Sequence, residues 1–133
     1  MRPRAMSYEF VIDTYAWVEY FRGSSRGSSA RKYIEGGRAA TSAITLAELR
    51  EKYLREKWGF FQEDLNFMIT RTSLVPVDRS IALLAGEINH SRKKAAKDWG
   101  MADSIILATA RSVSAKVITG DPHFKGLPES VLI

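Results

Sequence analysis

Four acidic residues stand where this chain passes from one local pattern to another. Asp13 closes the apolar run Phe10-Val11-Ile12, and Glu48 rides a helical stretch that opens near Thr45. Asp103 opens the apolar stretch Ala102–Ser112, and Asp121 follows Val117-Ile118-Thr119-Gly120. If the fold draws them together, the four carboxylates form a cluster that divalent cations would neutralise. The rest of the chain is basic, with 20 Lys and Arg against 15 Asp and Glu, a formal net charge of +5. Acid at the centre with base around it is the charge plan a metal-dependent nuclease needs.

Each carboxylate also has a plainer reading. Asp13 before Thr14 and Asp103 at its helix start both suit N-capping, where aspartate is favoured. Glu48 falls nearly opposite the stripe of Leu46, Leu49 and Tyr53, which fits a solvated residue paired with Lys52 one turn on. Periodicity does not separate it from Glu51 or Glu56. Asp98, the nearby rival of Asp103, lies in the loop-like Lys97-Asp98-Trp99-Gly100. Gly120-Asp121-Pro122 is ordinary turn composition, though the same turn can aim the Thr119 hydroxyl and the Asp121 carboxylate at one point. His123 reads as a surface or packing residue.

The elements that must position these groups alternate in type. Tyr8–Ile12, Arg38–Thr41, Ser73–Val77 and Lys116–Thr119 read as strands, with Val131-Leu132-Ile133 as a fifth. Thr14–Phe21, Thr45–Lys57, Phe60–Ile69, Ser80–Lys94 and Ala102–Ser112 carry helical spacing; in the second of these the apolar stripe is Leu46, Leu49, Tyr53 and Leu54. Arg22–Ser29, rich in Gly and Ser, reads as a loop, with Ser29 capping a short helix that runs to Glu35. Strands alternating with helices predict a parallel sheet covered on both faces. Ligands of such sheets sit beyond the carboxyl ends of the strands, where Asp13 and Asp121 are expected.

The bulk composition narrows the class. A chain of 133 residues, 45% hydrophobic and 26% charged, is one globular domain with room for a core. The sequence pI of about 9.6 permits a polyanionic partner. Having no cysteine, the chain has no disulfide, thiol catalysis or zinc–thiolate site. No apolar stretch approaches the roughly 20 residues a membrane span requires. Met1-Arg2-Pro3-Arg4-Ala5 lacks the hydrophobic region of a secretory signal, and Met6 offers an alternative start. A cytoplasmic protein is the expectation.

Taken in order, four segments resemble the PIN-domain ribonucleases, most closely the VapC-like toxins of prokaryotic toxin–antitoxin pairs. They are Phe10-Val11-Ile12-Asp13-Thr14, Thr45-Leu46-Ala47-Glu48-Leu49, the run Ala102–Ala110, and Ile118-Thr119-Gly120-Asp121-Pro122-His123-Phe124. The resemblance implies a single PIN-like domain over 1–133, with 1–6 as an optional extension. Its fold would be a three-layer α/β/α with a five-stranded parallel sheet. It carries metal-binding roles onto Asp13, Glu48, Asp103 and Asp121 and a supporting polar role onto Thr119; Glu48 is singled out by this likeness alone. It implies Mg2+ or Mn2+ as cofactor, RNA as substrate, a homodimer, and a small VapB-like antitoxin that occupies the acidic groove. Tyr15 departs from the pattern, standing where many relatives carry a small residue.

Three other readings stay open. An aspartyl-nucleophile phosphatase also places Asp after a strand, but generally wants a second carboxylate where Tyr15 stands. A PIN domain can serve RNA maturation or quality control, and a basic binding module can use its acids only as helix caps. Arg22, Arg26, Arg31, Lys32, Arg92-Lys93-Lys94 and Lys97 are candidates to guide an RNA backbone or to form a solvated face. Trp17, Trp58 and Trp99 suit core packing or base stacking.

Overall fold

Short runs of three or four residues, buried almost throughout in the inner strands, build the sheet in the computed structural model, which describes residues 8–133. The described residues form β1 (Phe10–Ile12), α1 (Thr14–Arg22), α2 (Ser25–Glu35), β2 (Ala39–Ser42), α3 (Ala43–Glu56), α4 (Phe61–Arg71) and β3 (Ser73–Val75). They continue through α5 (Arg79–Arg92), α6 (Met101–Ser112), β4 (Lys116–Thr119), a 3-10 turn (Pro122–Phe124) and β5 (Ser130–Leu132). The expected extension at 1–6 lies outside the described residues.

All strand pairs are parallel, in the order β3-β2-β1-β4-β5. The chain leaves β1 toward β2 and β3, then returns to lay β4 on the other side of β1. The switch in direction therefore falls between β1 and β4, and their carboxyl ends carry Asp13 and Thr119. Register places Val11 beside Val117 and Ile12 beside Ile118. Val11 and Val117 pack with α5 and α6 around Trp99, Leu107 and Phe124. Ile12 and Ile118 pack on the opposite face with Trp17, Ile34, Leu49 and Met68 from α1 to α4. One-residue alternation thus feeds two cores, and the result is the expected three-layer α/β/α sandwich.

The segment expected to be a loop is helical. Ser24 caps α2, its hydroxyl accepting from the Gly27 N–H at 3.1 Å, and Ser29 lies inside the helix rather than at its start. Gly23, at φ 73°, ends α1 in the left-handed conformation that glycine tolerates. Gly27 is where α2 crosses α1, and a Cβ there would run into the Glu19 carbonyl and the Tyr20 Cα. The glycine that made this stretch look flexible is what allows two helix backbones to touch.

Other boundaries shift for local reasons. β3 stops at Val75 instead of Val77 because Pro76 has no N–H to offer a ladder. Leu54 is 59% exposed and does not belong to the buried stripe of α3, whereas Leu49 and Tyr53 are buried.

Candidate metal centre

The first carboxylate is fixed by the end of β1. Asp13 occupies the N-cap position of α1, yet its side chain makes no capping hydrogen bond. It accepts instead from the Thr119 hydroxyl at 2.6 Å, across the β1–β4 switch. Thr119 is fully buried and its oxygen also accepts from the Asp121 backbone N–H at 2.9 Å, so one hydroxyl ties Asp13 to the Asp121 turn. Asp13 is only 4% exposed. Burial pushes its carboxyl from 3.8 up to about 7, the Thr119 bond works against the rise, and the negative charges of Glu48 and Asp103 add to it.

Glu48 turns toward the same point. Its carboxylate accepts from the Thr14 hydroxyl at 2.5 Å, linking α3 to the residue after Asp13. No ion pair to Lys52 forms; that ammonium sits 5.5 Å over the Trp58 ring. The helical wheel misplaces Glu48 because Thr45, polar but fully buried, belongs to the inward face. At about 100° per residue, Thr45 shifts the centre of that face toward Glu48. Burial raises the Glu48 pKa, the Thr14 bond opposes this, and Asp103, Glu51 and Asp121 raise it further.

Asp103 is the third residue of α6 and does cap: one of its oxygens accepts from the Gly100 N–H at 3.0 Å. The capping and site readings hold together, since the second oxygen remains free of that bond. Its pKa is raised by burial, lowered by the Gly100 N–H, raised by Asp121 and lowered by His123. Asp121 accepts from the His123 N–H at 2.9 Å and so begins the 3-10 turn.

All four carboxylates line one cavity of about 290 Å³. Among the described residues, no lysine or arginine forms an ion pair with any of them. In a chain of net charge +5, four converging acids are thus left without a lysine or arginine ion pair among the described residues. Hard carboxylate oxygens in that state fit a divalent cation. The tightest donor group is Asp103, Asp121 and His123, each offering one atom within 4.8 Å of the others. A larger hollow of about 720 Å³ between α2 and β5 has Glu35 as its single acid and no such convergence.

The cavity also takes in residues to which the sequence assigned no site role. Glu19 lies on α1, its carboxylate accepting from the Ser24 hydroxyl at 3.0 Å. Lys52 reaches the rim one turn after Glu48, a spacing that could have revealed it. Tyr15, the departure noted above, is accommodated by Gly120, where any Cβ would collide with its ring. Arg26 donates to the Tyr15 hydroxyl at 2.6 Å. Trp17 and Trp99 are fully buried in the two cores.

The sequence matches the PIN domain family model over residues 10–129. The chain belongs to the PIN-domain family. This PIN domain is similar in structure to a chain of a toxin–antitoxin complex from Klebsiella pneumoniae, with TM-score 0.76 and 22% identity, covering 92% of this chain and 96% of that one. It is similar to a chain of DNA-bound VapBC from Salmonella typhimurium, with TM-score 0.70 and 23% identity, covering 95% and 97%. VapC20 of Mycobacterium tuberculosis, described as a Sarcin-Ricin loop cleaving toxin, has TM-score 0.72 and 14% identity, covering 94% and 98%. Compared with curated proteins, the sequence has no match. Among the described residues, no helix of the PIN domain is long and apolar enough to cross a membrane.

Proposed function

We propose that this PIN domain is a divalent-metal-dependent endoribonuclease and the toxin of a VapBC-type pair. The observation that carries the reading is the convergence of Asp13, Glu48, Asp103 and Asp121 on one cavity, with no lysine or arginine among the described residues ion-paired to any of them. Mg2+ or Mn2+ would be held by these four residues. A bound ion of this kind lowers the pKa of a coordinated water and offsets charge building on the phosphate. The chain's own residues set the stage for that chemistry. Thr119 and Thr14 hold the Asp13 and Glu48 carboxylates by hydrogen bonds, which fixes their oxygens before substrate arrives. Lys52 at the rim, and Arg26 held on Tyr15, supply positive charge beside the acids for the phosphates flanking the scissile bond.

RNA as substrate is supported by the likeness to a Sarcin-Ricin loop cleaving toxin. A VapB-like antitoxin as partner is supported by the similarity to chains of toxin–antitoxin complexes, and it would silence the enzyme by covering the acidic cavity. Leu74 and Leu83, both exposed, offer apolar surface to a second copy in a homodimer.

Single-stranded RNA incubated with the purified chain and Mn2+ tests the reading. Cleavage is expected, abolished by chelator and reduced by about 100-fold or more in Asp103→Asn. Binding without cleavage would leave a passive RNA-binding module, and cleavage that survives both controls would place the activity elsewhere.

A further inference from the structure

His123 was expected to be a surface or packing residue, yet it faces the acids. Its Nδ1 lies 2.9 Å from an Asp121 carboxylate oxygen, and its side chain is about one-third exposed, at 36%. We propose that His123 supplies a nitrogen ligand to a cation shared with Asp103 and Asp121, giving this position a preference for Mn2+ over Mg2+. The inference rests on the metal-dependent reading above and adds a fifth donor of different chemistry to it.

Three observations carry it. One donor atom from each of the three residues lies within 4.8 Å of the others. Around a six-coordinate ion with bonds of about 2.2 Å, adjacent donors stand about 3 Å apart and opposed donors about 4.4 Å apart. The 4.8 Å limit lies just above the larger of these spacings, so a small inward movement brings the three donors around one ion. Second, each of the two carboxylates keeps an uncommitted oxygen. Asp103 spends one oxygen on the Gly100 N–H and Asp121 one on the His123 N–H, leaving the other oxygen of each. The second ring nitrogen, Nε2, stands 4.0 Å from an Asp98 carboxylate oxygen, beyond hydrogen-bond distance, so Nδ1 is the ring nitrogen on the side of the two acids.

Third, His123 is held from behind. Its carbonyl accepts from Arg92 Nη2 at 2.9 Å. The Arg92 guanidinium lies 4.4 Å over the ring of Trp99, which is fully buried. Trp99 Nε1 donates at 2.6 Å to Ser104, the residue after Asp103 on α6. One frame of packed and hydrogen-bonded side chains therefore positions both His123 and Asp103, which limits the search each must make for a shared ion.

The selectivity follows from donor type. Mg2+ takes oxygen donors and keeps its waters, whereas transition ions accept imidazole nitrogen readily. Removing the ring should weaken Mn2+ and leave Mg2+ nearly unchanged. Pulsed EPR of the Mn2+-loaded protein reads the bond directly: nitrogen hyperfine coupling is expected in the wild type and absent in His123→Gln. Calorimetric titrations of His123→Gln should show Mn2+ affinity lowered by about tenfold or more and Mg2+ affinity changed by less than about threefold. Bound Mn2+ without nitrogen coupling, or equal losses for both ions, would overturn this inference and leave the nuclease reading intact. Wild-type protein that binds no Mn2+ would remove both. If His123→Gln does not fold, the wild-type spectrum decides alone.

Discussion

Asp13→Asn is expected to abolish cleavage and, in the absence of metal, to make the protein more stable. Asp13 is buried and its carboxyl is pushed from 3.8 up to about 7, first by that burial. A rise of that size corresponds to about 4 kcal/mol of unfavourable ionisation once the pH exceeds both values. The sign follows from proton counting. Between pH 4 and 7 the folded metal-free chain holds a proton on Asp13 that the unfolded chain has released, so stability falls as pH rises through this window. Asparagine keeps an oxygen to accept from Thr119 but carries no charge, so it should escape the fall. Urea unfolding in chelator should show the variant more stable by about 2–4 kcal/mol at pH 8, with the difference vanishing near pH 4. A difference that does not change with pH would mean that the buried charge is not the cause. The same substitution removes a charged donor from the proposed cation site, so activity should fall by about 100-fold or more.

Gly27→Ala is expected to destabilise strongly, against the direction of helix propensity. On an exposed helix, alanine for glycine would stabilise by up to about 1 kcal/mol. At Gly27 the new methyl would meet the Glu19 carbonyl and the Tyr20 Cα, both main-chain atoms of α1 that no rotamer change can move. Overpacking of flexible cores costs about 1–3 kcal/mol, and backbone against backbone belongs at or above the upper end. A loss of at least about 3 kcal/mol should lower the melting temperature by about 10 °C or more in a domain of this size. Glu19 lines the acidic cavity, so separation of α1 from α2 should also disturb its rim. A melting temperature equal to or above that of the wild type would show that the helices do not cross at this glycine.

These two sites mark the edge of what the sequence reveals. Asp13 was legible because a strand buried on both faces reads as a short apolar run, and the residue that ends it must stand at the sheet edge. Asp121 was legible for the same reason, and the β1–β4 pairing brings the two ends together. Glu48 was not, because its helix face depends on the buried Thr45, a polar residue that hydrophobic periodicity counts as exposed. The start of α2 was hidden in the opposite sense. Gly and Ser signal freedom in sequence, but between packed helices a glycine signals close approach. His123 follows a turn-forming Asp-Pro, and only the 2.9 Å approach of its Nδ1 to the Asp121 carboxylate shows where the ring points. Local composition describes what a segment would do alone; these residues answer to partners far away in the chain.

The four carboxylates are expected to take up a cation in place of protons. Calorimetric titration of Mn2+ into the metal-free protein at pH 6, repeated in two buffers of different ionisation enthalpy, measures that exchange. Binding with release of about one proton is predicted, since Asp13 is mostly protonated at that pH and must give up its proton to serve as a ligand. Absence of binding at millimolar metal, or binding with no proton released, would contradict it.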